Sequence, residues 1–134
     1  MPGIHHLEIW VRDIDRARGP WAWLLTALGF ERSQTWNGGT SWACGATYLT
    51  LTTSPHLSAD DHDRRRPGMN HVAFHGGEPA DVDALVTAAP AHGWTPLYAD
   101  RYPHAGGPDH YAGWLEDPDG FKVEVVASSR TAAD

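Results

Sequence analysis

His6, His71 and Glu124 lie far apart in the chain, yet each falls in a short run where apolar and polar residues alternate. Two imidazoles and a carboxylate on one divalent ion leave coordination positions open, which suits a site that handles substrate rather than one that only staples a fold. In Ile4 to Arg12 the alternation puts Leu7, Ile9 and Val11 on a core side and His6, Glu8, Trp10 and Arg12 on the other. Between Asn70 and His75, Val72 and Phe74 point inward while His71 and His75 share the opposite side. From Phe121 to Val126, Val123 and Val125 read as core, leaving Lys122 and Glu124 on the polar face. Three strands thus each offer one ligand-type side chain on the face that a helix would not cover. Glu8 should share the face of His6, where a carboxylate beside a dication stays ionised and can act as a further ligand or as a catalytic base.

Taken singly, such residues mean little, because the chain has 9 His and 17 acidic residues and polar positions on half-buried strands are routine. An internal repeat ties them together. Residues 4–53 and 69–127 read as two copies of one unit joined by a linker at about 54–68, the whole forming a single domain over residues 1–134. In the first copy, Trp21, Leu24, Leu25 and Leu28 follow helical spacing and Gly29 closes the helix; in the second, Val82, Leu85, Val86 and Ala89 repeat the spacing ahead of Gly93. Pro20 predicts that the stable part of the first helix begins near Gly19, with residues 14–18 a turn or a kinked first turn. Extended runs follow at 30–36, 41–45 and 46–53, and again at 95–99, 110–116 and 121–127. Asp117-Pro118-Asp119-Gly120 supplies the turn between the last two. Each copy is therefore a strand, a helix and three strands.

With its His6 to Asp13 strand, its Leu28-Gly29-Phe30 helix end, Asn70-His71-Val72-Ala73-Phe74, and the run from Asp117 to Glu124, the chain resembles the vicinal oxygen chelate superfamily, which contains glyoxalases, bleomycin-resistance proteins and extradiol dioxygenases. That resemblance implies an α+β fold of two tandem βαβββ modules forming a curved mixed sheet around a metal cleft. It places metal ligands at His6, His71 and Glu124, and a divalent ion, Zn, Ni, Mn or Fe, as cofactor. The function it implies is isomerase- or lyase-type proton transfer on a small substrate chelated through neighbouring oxygens. The alternatives are Fe(II) ring cleavage by a dioxygenase and non-catalytic drug binding of the bleomycin-resistance type. Glyoxalase I enzymes commonly carry a carboxylate at the position matching Thr50, so this chain departs from them there. In short relatives module one of one chain commonly meets module two of another, which implies a homodimer. By the same analogy Trp114 lines the cleft, and with Trp10 and Tyr48 it makes part of the wall aromatic, suited to a substrate with a planar or apolar portion.

The segment from Asp100 to Tyr111 is too rich in Gly and Pro for regular structure and reads as a substrate lid, with Arg101, His104, His110 and Tyr111 as candidate contacts; His75 sits at the cleft rim. The mixed-sign run from Asp60 to Arg66 reads as a solvated linker. A net charge of −7 with ten basic residues lacks the footprint of a nucleic-acid binder. A single cysteine, Cys44, fits a reducing compartment. With neither a membrane-spanning stretch nor a signal-peptide pattern in the sequence, the expected setting is the cytoplasm. Seven Trp in 134 residues suggest that some line the cleft or a subunit interface.

Overall fold

The computed structural model describes residues 2–128 and divides into two compact units, Met1–His62 and Asp63–Asp134. The first contains β1 (His6–Trp10), α1 (Ile14–Ala27), β2 (Glu31–Trp36), β3 (Gly39–Cys44) and β4 (Thr47–Thr52), with strand order β1-β4-β3-β2. The second contains β5 (Val72–His75), α2 (Pro79–Ala88), β6 (Thr95–Leu97), β7 (Ala112–Glu116) and β8 (Lys122–Val126), in the corresponding order β5-β8-β7-β6. In each sheet the first and last strands of the unit run parallel, and the other pairs are antiparallel. The α+β class and the two βαβββ units expected from the repeat are therefore present.

The first unit folds around Trp21, Leu24 and Leu25 of α1 and Trp42, Leu49 and Leu51 of the sheet, all buried. Full burial of such side chains stabilises by roughly 1.5–3 kcal/mol each. α1 begins at Ile14, five residues before the expected start at Gly19, and Pro20 lies inside it. The cause is Asp13, whose Oδ1 accepts from the backbone N–H groups of Asp15 and Arg16 at 3.0 and 3.3 Å, while Ile14 and Ala17 bury on the sheet side of that first turn. Cap and burial together outweigh the hydrogen bond that proline forfeits.

In the second unit α2 is shorter than its apolar spacing suggests. It gives way to a 3₁₀ turn over Ala89–His92, which Gly93 ends at φ 90°. Gly113 lets α2 close on β7, since a Cβ there would overlap Val86. The Asp60 to Arg66 run is not merely solvated: Arg64 pairs with Glu116 and donates to the Gly120 carbonyl at 3.2 Å, so its C-terminal part is fastened to unit two.

The turn before β8 is set by Asp117, which is buried. Its Oδ1 accepts from the N–H groups of Asp119 and Phe121 at 2.9 and 2.8 Å, and Gly120 takes φ 91°. This bond pattern fixes where β8 starts, and so which face Lys122 and Glu124 occupy. Asp117→Ala should destabilise the protein by about 1–3 kcal/mol, as two backbone donors lose their acceptor. Chemical denaturation followed by far-UV circular dichroism checks this, and an unchanged midpoint would show that the turn holds without the side chain.

Candidate metal site on the second sheet

β7 and β8 place Trp114 directly opposite Glu124, and β5 places Ala73 beside it. Glu124 is only 5% exposed. Each of its oxygens meets an imidazole: Oε1 lies 3.3 Å from His71 Nε2, and Oε2 accepts from His110 Nε2. A buried carboxylate without partners would be strongly unfavourable, which gives this pairing its structural weight.

The tautomer of His71 follows from its neighbours. Asn70 donates through its Nδ2 to the Arg64 carbonyl at 3.1 Å, which orients the amide so that its Oδ1 faces His71 Nδ1 at 2.8 Å. His71 Nδ1 then carries a proton, and Nε2 is the nitrogen that faces Glu124 Oε1, as a lone pair in the neutral ring or as a second N–H in the imidazolium. Two acceptors facing each other at 3.3 Å repel unless a cation or a proton joins them. The separation also matches donors that each lie about 2.1 Å from one ion at an angle of about 100°. His71 and Glu124 therefore fit a divalent metal in chemistry and in spacing. Among the described residues no group of three or more His, Cys, Asp or Glu is arranged to hold a metal ion, so the pair offers two donors of such a site.

Trp114 covers the pair, its ring 5.0 Å from that of His71. His75 is exposed at the end of β5. Of the loop residues, only His110 touches the expected ligands. The loop itself is less free than its Gly and Pro content implied: it contains a 3₁₀ turn at Ala99–Arg101, and Tyr102 and Tyr111 both donate to Asp83 Oδ1 on α2, the latter at 2.6 Å. His104 leans on the Tyr111 ring at 5.7 Å and bonds the His110 carbonyl, while Arg101 stacks over Tyr98. The Asp83 side also carries a cavity of about 460 Å³ lined by Val86, Leu97, both tyrosines and Trp114, the cross-strand neighbour of Glu124.

In the first unit, the expected parity holds. His6 stacks flat on Tyr48 at 4.6 Å, Glu8 accepts from the Trp10 indole at 2.7 Å, and both side chains are exposed. Glu8 is thus tied to an aromatic neighbour rather than to an arginine. Thr50 is buried, and its hydroxyl is engaged by Ser41 at 2.6 Å. Sequence reasoning gave no role to Asn70, whose position directly before His71 was the available signal, nor to Lys122 and Tyr98, which bond each other at 2.9 Å.

Two βαβββ units, each with its first and last strands parallel, define a glyoxalase-like α+β fold. The chain belongs to the Glyoxalase/Bleomycin resistance protein/Dioxygenase superfamily, whose model matches residues 5–114. It is 42% identical over 128 residues to the uncharacterized protein YqjT of Bacillus subtilis (strain 168), covering 94% of this chain and 99% of that one. A candidate glyoxalase from Bacillus halodurans is similar in structure, with a TM-score of 0.88, 42% identity, and coverage of 93% and 95%. Lactoylglutathione lyase from Agrobacterium tumefaciens shares the fold, with a TM-score of 0.64, 22% identity, and coverage of 95% and 94%.

Bonding to two phenols holds the Asp83 carboxyl below its ordinary value of 3.8. Burial and the Asp83 bond push Tyr102 well above the ordinary 10.0, and the Asp83 bond pushes Tyr111 up as well. The depressed carboxyl contributes stability that is lost as pH falls below its ordinary range; the raised phenols contribute stability that is lost as pH rises past theirs. Melting temperature should therefore decline above pH 10 more steeply in the wild type than in a Tyr102→Phe, Tyr111→Phe variant, which lacks both the bonds to Asp83 and the phenols that ionise. Parallel declines in calorimetric scans would argue against this fastening.

Proposed function

We propose that the chain is a divalent-metal-dependent enzyme of isomerase or lyase type, acting on a small molecule that presents two neighbouring oxygens. The observation that carries this reading is His71 Nε2 facing the buried Glu124 Oε1 at 3.3 Å, a spacing at which both atoms could bind one dication. His71 and Glu124 would hold the ion, with His6 as the third donor, supplied by module one of the same chain or of a second copy in a homodimer. When bound, a Zn, Ni, Mn or Fe dication supplies Lewis acidity toward the substrate oxygens.

The remaining steps belong to the protein. His110 keeps Glu124 Oε2 occupied, so that Oε1 alone faces His71. Trp114 roofs the pair and excludes water from one side of it. Glu8 shares the polar face of β1 with His6 and is the candidate base. With Oε2 held by Trp10, Oε1 is the atom left to take a proton from carbon. The aromatic lining offered by Tyr48, Trp10 and Trp114 suits a substrate with a planar or apolar part. Similarity to glyoxalase-like proteins supports the class, while Thr50, in the place of a further carboxylate, argues for a reaction other than that of glyoxalase I.

Elemental mass spectrometry of protein purified without an affinity tag should find about one divalent ion per chain, and none in a His71→Ala, Glu124→Gln variant. His110→Ala should weaken metal affinity by about 10- to 100-fold without abolishing it. Iron as the bound metal would direct assays to ring cleavage. A wild type that takes up no metal after reconstitution would overturn the reading in favour of a small-molecule binder.

A further inference from the structure

We propose that Lys122 forms an oxyanion-binding subsite beside the His71–Glu124 pair, so that the substrate carries a carboxylate, phosphate or phosphonate group. Its placement as a substrate subsite rests on the metal-dependent reading above, whereas the anion site itself does not.

Lys122 is 8% exposed, an unusual position for an ammonium. Its cross-strand partner is Glu116, the natural counter-ion, but that carboxylate is taken by Arg64. Among the described residues Lys122 has no acidic partner. Its Nζ donates once, to the Tyr98 hydroxyl at 2.9 Å, and otherwise lies between two aromatic faces, 5.0 Å from the Tyr98 ring and 4.9 Å from that of Trp114. Cation–π contacts ease burial of the charge, but they leave the other two N–H donors without acceptors. A buried charge needs a counter-charge, and here the described residues supply none.

Three further observations converge on the same place. The Trp114 indole Nε1 is buried with no acceptor among the described residues, so a second donor on the ring that touches Lys122 is also unsatisfied. Arg101, exposed, stacks its guanidinium over the other partner of Lys122, the Tyr98 ring, at 5.1 Å, adding a second positive group in a chain of net charge −7. Tyr98 itself holds φ 57°, a left-handed conformation that a bulky residue adopts only when its surroundings impose it.

The position relative to the metal pair follows from the strand. Lys122 and Glu124 are two residues apart on one face of β8, about 7 Å along the strand. Trp114 spans the interval, touching His71 on one side and Lys122 on the other. A small organic acid could place its anionic group on Lys122 while its neighbouring oxygens reach the His71–Glu124 pair. Lys122 would thus determine specificity by charge rather than take part in bond making.

The test uses full-length, metal-free protein, titrated separately with sodium acetate and sodium methylphosphonate at an ionic strength of about 0.1 M, with sodium chloride as salt control and acetamide as neutral isostere. The readout is the Trp114 indole N–H resonance, assigned with Trp114→Phe. A saturable shift with a millimolar dissociation constant is expected for at least one of the two anions and none for acetamide, and Lys122→Gln should weaken binding by about 10-fold or more. Lys122→Arg should keep the response. Which anion binds more tightly separates a carboxylate from a phosphonate subsite. Absence of a saturable response in the wild type overturns the proposal even if Lys122→Gln fails to fold, and so does wild-type affinity in Lys122→Gln. Metal uptake is scored independently. Protein that loads metal but ignores both anions retains the proposed function and loses this subsite; protein that binds an anion but no metal does the reverse.

Discussion

A buried carboxylate oxygen facing an imidazole nitrogen is stable only with a proton or a cation between them, and the contact between His71 Nε2 and Glu124 Oε1 is of that kind. The geometry survives because each partner is fastened from behind. Asn70, braced on the Arg64 carbonyl, fixes the imidazole, and His110 takes the far carboxylate oxygen. One contact in the sheet is thereby held at a spacing that a proton or a cation must bridge. Most of the second unit can be understood as support for that point.

The support reaches far from the pair. Asp83 on α2 holds Tyr111, and Tyr111 directly follows His110 in the chain, so a helix residue indirectly sets where the Glu124 partner stands. The Asp117 turn starts β8 in register, and Gly113 lets α2 lie against β7. Arg64 joins two roles, offering its carbonyl to Asn70 and its guanidinium to Glu116, which leaves Lys122 without its nearest counter-ion. Local turn chemistry, helix packing and charge pairing act on the same few atoms.

The fold was legible in the sequence because its signals are periodic. Alternation in β1, β5 and β8 and helical spacing in α1 and α2 need only local parity, and their repetition revealed two copies of one unit. The start of α1 was misplaced because a proline was weighed without its cap, although Asp13 was in plain view. At the site, parity was enough to put His71 and Glu124 on one face. It could not show that His110 meets Glu124, since that contact closes a loop whose path no periodicity encodes. Lys122 was passed over for a different reason: lysine on a polar face is ordinarily solvated, and only the tertiary packing of Tyr98 and Trp114 buries it. The run from Asp60 to Arg66 looked solvated because mixed charges usually are, and the exception, Arg64, pairs with a residue 52 positions onward.

The two copies have diverged in a coordinated way. Aligned on their parallel strand pairs, Thr50 occupies the place of Glu124 and Tyr48 that of Lys122. The first copy met its buried polar position with a hydroxyl pair, Thr50 and Ser41, which satisfies itself within the sheet. The second copy acquired ions there, and ions need company from outside the sheet. The connection that supplies it is the one between the second and third strands of the unit: in the first copy it is the tight Asn37-Gly38 hairpin, whereas in the second it runs from residue 98 to 111 and brings Tyr98 to Lys122 and His110 to Glu124. Loop length here goes with the polar group it must serve: the copy with buried ions has the long connection, and the copy with the two-residue hairpin meets the same place with hydroxyls that need no partner from outside the sheet.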